Sequence, residues 1–337
     1  MLNPVESVSG ANGAAGVGTS GSGSVGSVYD PRAERARRDA LRRRAIAQDK
    51  FATGVLTVII ALVLAIVGAM VFYILFEGVG TLVQPGFLTE RARANGTAGG
   101  VAYQLFDSFF LLVLTLLISV PVSLGAAVFL VEYAPDGPVK RIASTAVETL
   151  SSLPSIVVGM FGFLVFSVGF GWKYSIISGA VALTMFNIPI LVRAIQQALE
   201  DVPRAQRDAC LAMGLTRWEA TVHVLIPSAM SAIVTGVVLS AGRVFGEAAA
   251  LLFTSGMSSP VRLNFLSLNF NSPSCAWNIF RPGESLAVHI YKIYGEGSAE
   301  AQQIVWGTAA LLMICVLIFN VAARIAGRAI SRKVTGQ

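Results

Sequence analysis

Apolar residues run along this chain in long blocks separated by short polar stretches. A helix needs about 20 apolar residues to cross the hydrocarbon core of a bilayer. Blocks of that kind lie at 51–76, 104–131, 151–170, 174–192, 231–254 and 304–323, and they predict six membrane helices. The third is interrupted by Pro154, Gly159, Gly162 and Gly169, which leaves five spans as the alternative count. Membrane helices accept Gly and Pro where neighbouring helices or water satisfy the freed backbone groups. The pattern predicts an all-α, polytopic membrane protein.

The polar residues inside these blocks are few, and two of them carry charge in the stretch Ile233 to Phe253: Arg243 and Glu247. A lone Arg at the centre of a membrane helix costs about 2.5–3.5 kcal/mol on insertion scales. Residues four apart share a helix face, so the spacing predicts that each offsets the other's charge. Gly236, Ser240 and Thr254 fall on the same predicted face, a small and polar stripe beside Val and Leu flanks. Such a stripe faces a bundle interior or a wet pathway. Two readings follow: a salt bridge that only fixes helix packing, or a cationic site on a route for anions.

Composition agrees with membrane insertion. Hydrophobic residues make up 54% of the 337, charged residues only 13%, and the mean hydropathy is +0.69. A soluble chain of this length carries about twice that charge fraction. The net charge of +6 is a topology signal, not a nucleic-acid footprint. With the N-terminus inside and six crossings, 18 of the 25 Lys and Arg fall on inner segments and six on outer ones, with Arg243 between. That bias follows the positive-inside rule and places both termini in the cytoplasm. Cys210, Cys275 and Cys315 fall on different levels of this topology, so no disulfide framework is implied. His223 and His289 fall on opposite sides, each read as a surface or interface residue, and no metal site is expected.

Residues 1–50 divide into a Gly/Ser-rich tail, read as disordered, and a basic run from Arg32 to Lys50. Gly21, Gly23 and Gly26 have dinucleotide-loop spacing, but without a strand before or a helix after they bind nothing. The first block is too long for a cleaved signal and is read as an anchor. Asn95-Gly96-Thr97 matches a glycosylation acceptor on an outer loop. The longest outer segment, 255–303, carries Pro260, Pro273 and Pro282 and a short amphipathic run, Ser285 to Tyr294. That run fits either a place at the membrane surface or a contact with an external partner.

The inner segment at about 204–227 has a pattern of its own. Ala205, Ala209 and Ala212 keep one short helix narrow, Gly214 ends it as a residue able to take positive φ, and Pro227 marks the return to the membrane. Helix, turn and second helix make a knob without chemistry, so its work is docking.

Asp208-Ala209-Cys210, Gly214, and Val224 with Ile226-Pro227 resemble the coupling motif of ABC-importer permeases, E-A-A, three residues, G, nine residues, I-x-L-P. The departures, Asp208 for Glu, Cys210 for Ala, Val224 for Ile and Ile226 for Leu, are conservative. Leu153-Pro154-Ser155-Ile156 with Gly159 and Phe161-Gly162 resembles the third-helix signature of phosphate-importer permeases. The run from Arg243 to Gly256 is similar to the fifth-helix signature of their PstA-type subunits, as is Ser285 to Tyr291, and Ala250 stands where that family often has Pro. The resemblance covers residues 50–330.

It implies a type I ABC-importer permease of MetI-like fold, in a bacterial inner membrane, moving inorganic phosphate. It also implies partners: a paralogous PstC-like permease, two PstB-like ATPases and a PstS-like external phosphate-binding protein. Asp208, Ala209, Gly214 and Pro227 then belong to the ATPase contact. Arg243, Glu247, Ser240 and Arg193, at the inner end of the fourth block, belong to the substrate path. Arg193 equally fits an inner-side charge at a helix end. No G-x-x-x-x-G-K-[ST] loop occurs, so ATP hydrolysis falls to a partner and the chain is a transport subunit without cofactor. The rival functions are a permease for sulfate or molybdate and a secondary transporter driven by an ion gradient.

Overall fold

A computed structural model describes residues 31–92, 99–135, 137–258, 262–267, 269–270, 272–295 and 297–335. The Gly/Ser tail, the Asn95–Thr97 motif and Pro260 lie outside the described residues. Among the described residues the chain is helical, with only two isolated bridges and no strand.

The chain divides into two units at Val67 and Gly68. In the first, Pro31 begins helix α1 (Pro31–Leu82), so the basic run is already helical where it meets the first span. Residues 51–67 are exposed throughout and almost wholly apolar, a surface that only lipid or another apolar partner satisfies.

The second unit holds the bundle: α2 (Ala102–Val128), α3 (Pro138–Ser151), α4 (Ser155–Gly162), α5 (Ile176–Glu200), α6 (Arg204–Ala212), α7 (Arg217–Ala220), α8 (Ile226–Phe245), α9 (Ala249–Thr254), α10 (Leu286–Tyr294) and α11 (Ala299–Thr335). Wide π-type turns extend α2 at Phe129–Tyr133 and α4 at Phe163–Gly169, and join α7 to α8 at Thr221–Leu225. Among the described residues, five stretches are long and apolar enough to cross: Gln48–Leu82, Ala102–Tyr133, Ile176–Glu200, Arg217–Phe245 and Ala299–Ile325.

α5 is the centre. Two thirds of its apolar window (67%) is buried, more than in any other span. Its N-terminal half packs with Leu111, Leu112, Val244, Leu251 and Leu286, and its C-terminal half with Ala127, Leu130, Leu225 and Ile233. Ser175 starts the helix, its Oγ accepting from the Ser178 N–H at 3.3 Å.

Two sequence expectations change here. The third block is not a straight span: α3 and the run Ser155–Gly169 meet at 98° across Leu153-Pro154, so the count is six only if this bent pair is one crossing. Pro154 forces extended backbone on its neighbour and ends the first arm. The fifth block is also broken. The crossing helix ends at Phe245, Gly246–Ala248 leave the helix, and α9 starts a separate short arm. α4 and α9 then lie against each other. A β-carbon on Gly159 would stand 2.6 Å from Ala250 Cα, so only glycine permits this approach.

Candidate functional site

The break after Phe245 decides the fate of the intramembrane charges. Arg243 lies in the last turn of α8, where unpaired carbonyls concentrate negative potential that favours a cation. Its guanidinium carbon sits 4.2 Å from the Phe186 ring centroid on α5, and the side chain is exposed. Glu247 has left that face. Its Oε1 accepts the Ala250 N–H at 3.3 Å and caps the start of α9. Arg243 and Glu247 form no ion pair, which corrects the pairing expected from their spacing. The four-residue rule needs a continuous helix, and Gly246 ends it.

Ser240 is 2% exposed and donates to Asn187 Oδ1, while Asn187 Nδ2 donates to Ser119 Oγ at 3.1 Å. This string ties α8, α5 and α2 together inside the bundle. Gly236, one turn earlier, faces Ala194 of α5. The small and polar stripe therefore faces the interior, and Ser240 is committed to packing. Arg193 on α5 pairs with Glu148 of α3 at 3.1 Å, with half or more of each side chain exposed. An exposed pair of this kind is worth about 0–1 kcal/mol, so it is easily exchanged.

On the face that carries α6 and α7, Gly214 takes φ +82° and turns the chain. The Leu215 N–H donates back to Cys210 O at 3.1 Å, closing α6. Thr216 and Glu219 form a reciprocal capping box at the start of α7: Thr216 Oγ1 accepts from the Glu219 N–H, and Glu219 Oε2 accepts from the Thr216 N–H at 2.8 Å. Arg207 anchors the knob, reaching Glu132 at 2.9 Å beside the end of α2 and Leu199 O of α5 at 2.9 Å. Asp208, Ala209, Leu211, Met213 and Trp218 stay exposed. Pro227 does not turn the chain. The helix runs unbroken past it from Arg217 to Phe245. The π-type turn, with the Ile226 N–H donating to Thr221 O, lengthens the preceding coil, so a residue without an N–H is accommodated there.

A second polar cluster, unread in the sequence, lies at the opposite end. Arg281 and Asp107 are fully buried and joined by two hydrogen bonds, Nη1 to Oδ2 at 3.1 Å and Nη2 to Oδ1. Arg281 also donates to Ala276 O and Pro282 O. Glu284 accepts from His289 Nδ1 at 3.1 Å and Gln104 Nε2 at 3.2 Å, with Lys292 Nζ at 3.5 Å. His289 is thus a core residue, 2% exposed, which corrects its reading as a surface or interface residue. Burial raises the Glu284 carboxyl, but the hydrogen bond and charge of His289, with Lys292 and Gln104, outweigh it and hold the group below 4.5. The signal was present: Asp107 is the one charge in block 104–131, and an intramembrane charge demands a partner.

Comparison with known proteins matches this architecture. Residues 119–336 fit the family described as the binding-protein-dependent transport system inner membrane component. A probable ABC transporter permease, YqgI of Bacillus subtilis (strain 168), is 47% identical over 288 residues, 85% of this chain and 97% of its own. The phosphate transport system permease PstA 1 of Mycobacterium tuberculosis (strain CDC 1551 / Oshkosh) is 30% identical, covering 84% and 89%. Among solved structures, the inward-facing MetNI methionine ABC transporter aligns with TM-score 0.51 at 20% identity, over 68% of this chain and 94% of that one. The all-α MetI-like fold read from the sequence is the fold observed. The chain is a multi-pass membrane protein and belongs to the family of inner-membrane permease components of binding-protein-dependent ABC importers.

Proposed function

We propose that this permease moves inorganic phosphate inward, as one half of a translocation pathway shared with a paralogous PstC-like subunit. Two PstB-like ATPases drive it from the cytoplasm, a PstS-like binding protein delivers the anion from outside, and both termini of the chain are cytoplasmic. ATP binding draws the ATPases together, the knob at 204–227 follows through Asp208, Ala209, Gly214 and Trp218, and the helices rock between inward- and outward-open states. Pro227 lies where the knob's motion enters α8.

The observation that carries this reading is the state of Arg243. Its guanidinium is exposed, faces an aromatic ring, and is not neutralised by Glu247. A planar fork left free in this way matches the oxygens of phosphate. Glu247 acts at one remove: it caps α9 and so fixes the break that frees Arg243. Ser240 positions α8 against α5, which aims the same residue. Arg193 offers a second cationic station once it exchanges Glu148 for the passing anion. The PstA names among relatives about 30% identical support phosphate as the cargo.

The test is uptake of labelled phosphate per assembled complex. A hydrogen bond to a charged group is worth about 1.5–3 kcal/mol, so Arg243→Gln is expected to lower uptake roughly ten- to a hundredfold. Full uptake by that variant rejects the cationic site. Competition by unlabelled sulfate or molybdate in the native complex reassigns the cargo to that oxyanion, and uptake driven by an ion gradient without ATP rejects the importer.

A further inference from the structure

Two hollows meet at one arginine on the flank of the second unit. A cleft of about 170 Å³ between α8 and α11 is lined by Ser231, Thr235, Val238 and Arg324. A trough of about 430 Å³ between α1 and α11 is lined by Val71, Leu75, Met313, Leu317 and Val321, and it too ends at Arg324. The cleft offers hydroxyls and a cation, the trough almost nothing but carbon. Arg324 is exposed and makes no ion pair among the described residues.

The depth of the trough is informative. Met313 and Arg324 are 11 positions apart on one helix, which at 1.5 Å per residue is about 16 Å. The hydrocarbon core is about 30 Å thick, so the trough runs from its middle to one boundary, the length of a single leaflet. Arg324 closes the apolar stretch of α11, one residue before the crossing segment ends at Ile325. Ser231 and Thr235, on α8, line the same cleft as Arg324 and so share its depth. The cation and the hydroxyls therefore stand at headgroup depth.

We propose that this composite groove is a binding site for an anionic phospholipid. The headgroup phosphate lies against the Arg324 guanidinium and the Ser231 hydroxyl, and one acyl chain fills the trough along α11. Charge selects the occupant. A zwitterionic lipid brings an ammonium group to a cleft that already holds a cation, whereas phosphatidylglycerol brings net negative charge. Free phosphate satisfies Arg324 but leaves the trough empty, so the apolar half of the site requires a chain. Thr235 contributes acceptor lone pairs alone, since its hydroxyl donates to Ser231 O at 2.9 Å.

Native mass spectrometry of the purified complex, titrated with dioleoyl phosphatidylglycerol or phosphatidylcholine, tests the site. One basic side chain near an anionic surface is worth about 1 kcal/mol, so phosphatidylglycerol is expected to be preferred about fivefold. Arg324→Gln should abolish that preference at this site, while Arg42→Gln, on the separate basic run, should leave it intact. Leu317→Trp fills the trough without touching the charge and should reduce retained phosphatidylglycerol. Equal retention of both lipids, a preference surviving Arg324→Gln, or displacement of the lipid by inorganic phosphate alone would overturn the proposal. So would cross-linking of a cysteine at 324 to another protein subunit instead of to lipid.

Discussion

Asp107 and Arg281 show how a single side chain governs a region in this molecule. Each ion pays several kcal/mol to leave water, and only its partner and the added backbone hydrogen bonds repay that cost. Arg281→Met is therefore expected to lower stability by about 3–5 kcal/mol, because it strands a buried carboxylate. The double change Asp107→Leu with Arg281→Met should recover most of the loss, read as the melting temperature of the detergent-solubilised chain. Arg243 and Glu247 should behave oppositely. They do not touch, so Glu247→Gln and Arg243→Gln should act additively on stability, with a coupling under about 0.5 kcal/mol in a double-mutant cycle. A large coupling would restore the salt bridge that their spacing suggests. Charge within apolar blocks was legible in the sequence, but partnership was not: Arg281 is 174 positions from Asp107, and no periodic rule reaches that far.

Among the elements, the knob and the 255–303 segment carry separate expectations. Gly214 holds φ +82° with open space around its missing side chain, so any β-carbon is strained by backbone alone. The left-handed region costs an L-residue about 1–2 kcal/mol. Gly214→Asp should still insert in the membrane yet lose the ATPase on purification, and normal uptake with the ATPase firmly bound would remove the docking role. In the 255–303 segment, Glu284 carries a depressed folded-state value. The stability it contributes is present above 4.5 and lost as pH falls through the lower, folded value. The protection factors of the α10 amides, each taken against the unfolded chain at the same pH, should thus be unchanged between pH 7 and 5 and fall below 4.5; a fall already at pH 6 would transfer the control to another group. The knob was readable because a glycine turn is local. The bend at Pro154 was only half readable: the interruption showed in the sequence, its 98° angle did not. The end of α8 at Phe245 was missed because Gly246 alone is tolerated within helices, and Glu247 decides the matter by capping a new start at Ala249.

At the scale of the whole molecule, the alternation of basic and neutral ends predicts an orientation. A cysteine at Glu300, exposed at the start of α11, should react with an impermeant maleimide in intact cells, and one at Trp218 should not. Reaction at Trp218 would invert the chain and detach the knob from any cytoplasmic ATPase. Gly297 is the poorer probe position, since its φ of +68° resists a side chain. The central place of α5 has a consequence for how the chain is made. It is the least apolar of the five long spans, and it carries Asn187, whose amide is satisfied by Ser119 behind it in the sequence and Ser240 ahead. A ribosome delivers α2 first, so α5 reaches the translocon with its donor's acceptor already in the bilayer. Its own acceptor waits until α8 emerges, some fifty residues later. Insertion of α5 is then a two-step commitment, first to α2 and finally to α8, and nascent chains that end before Ser240 should leave α5 lingering at the translocon instead of partitioning into lipid.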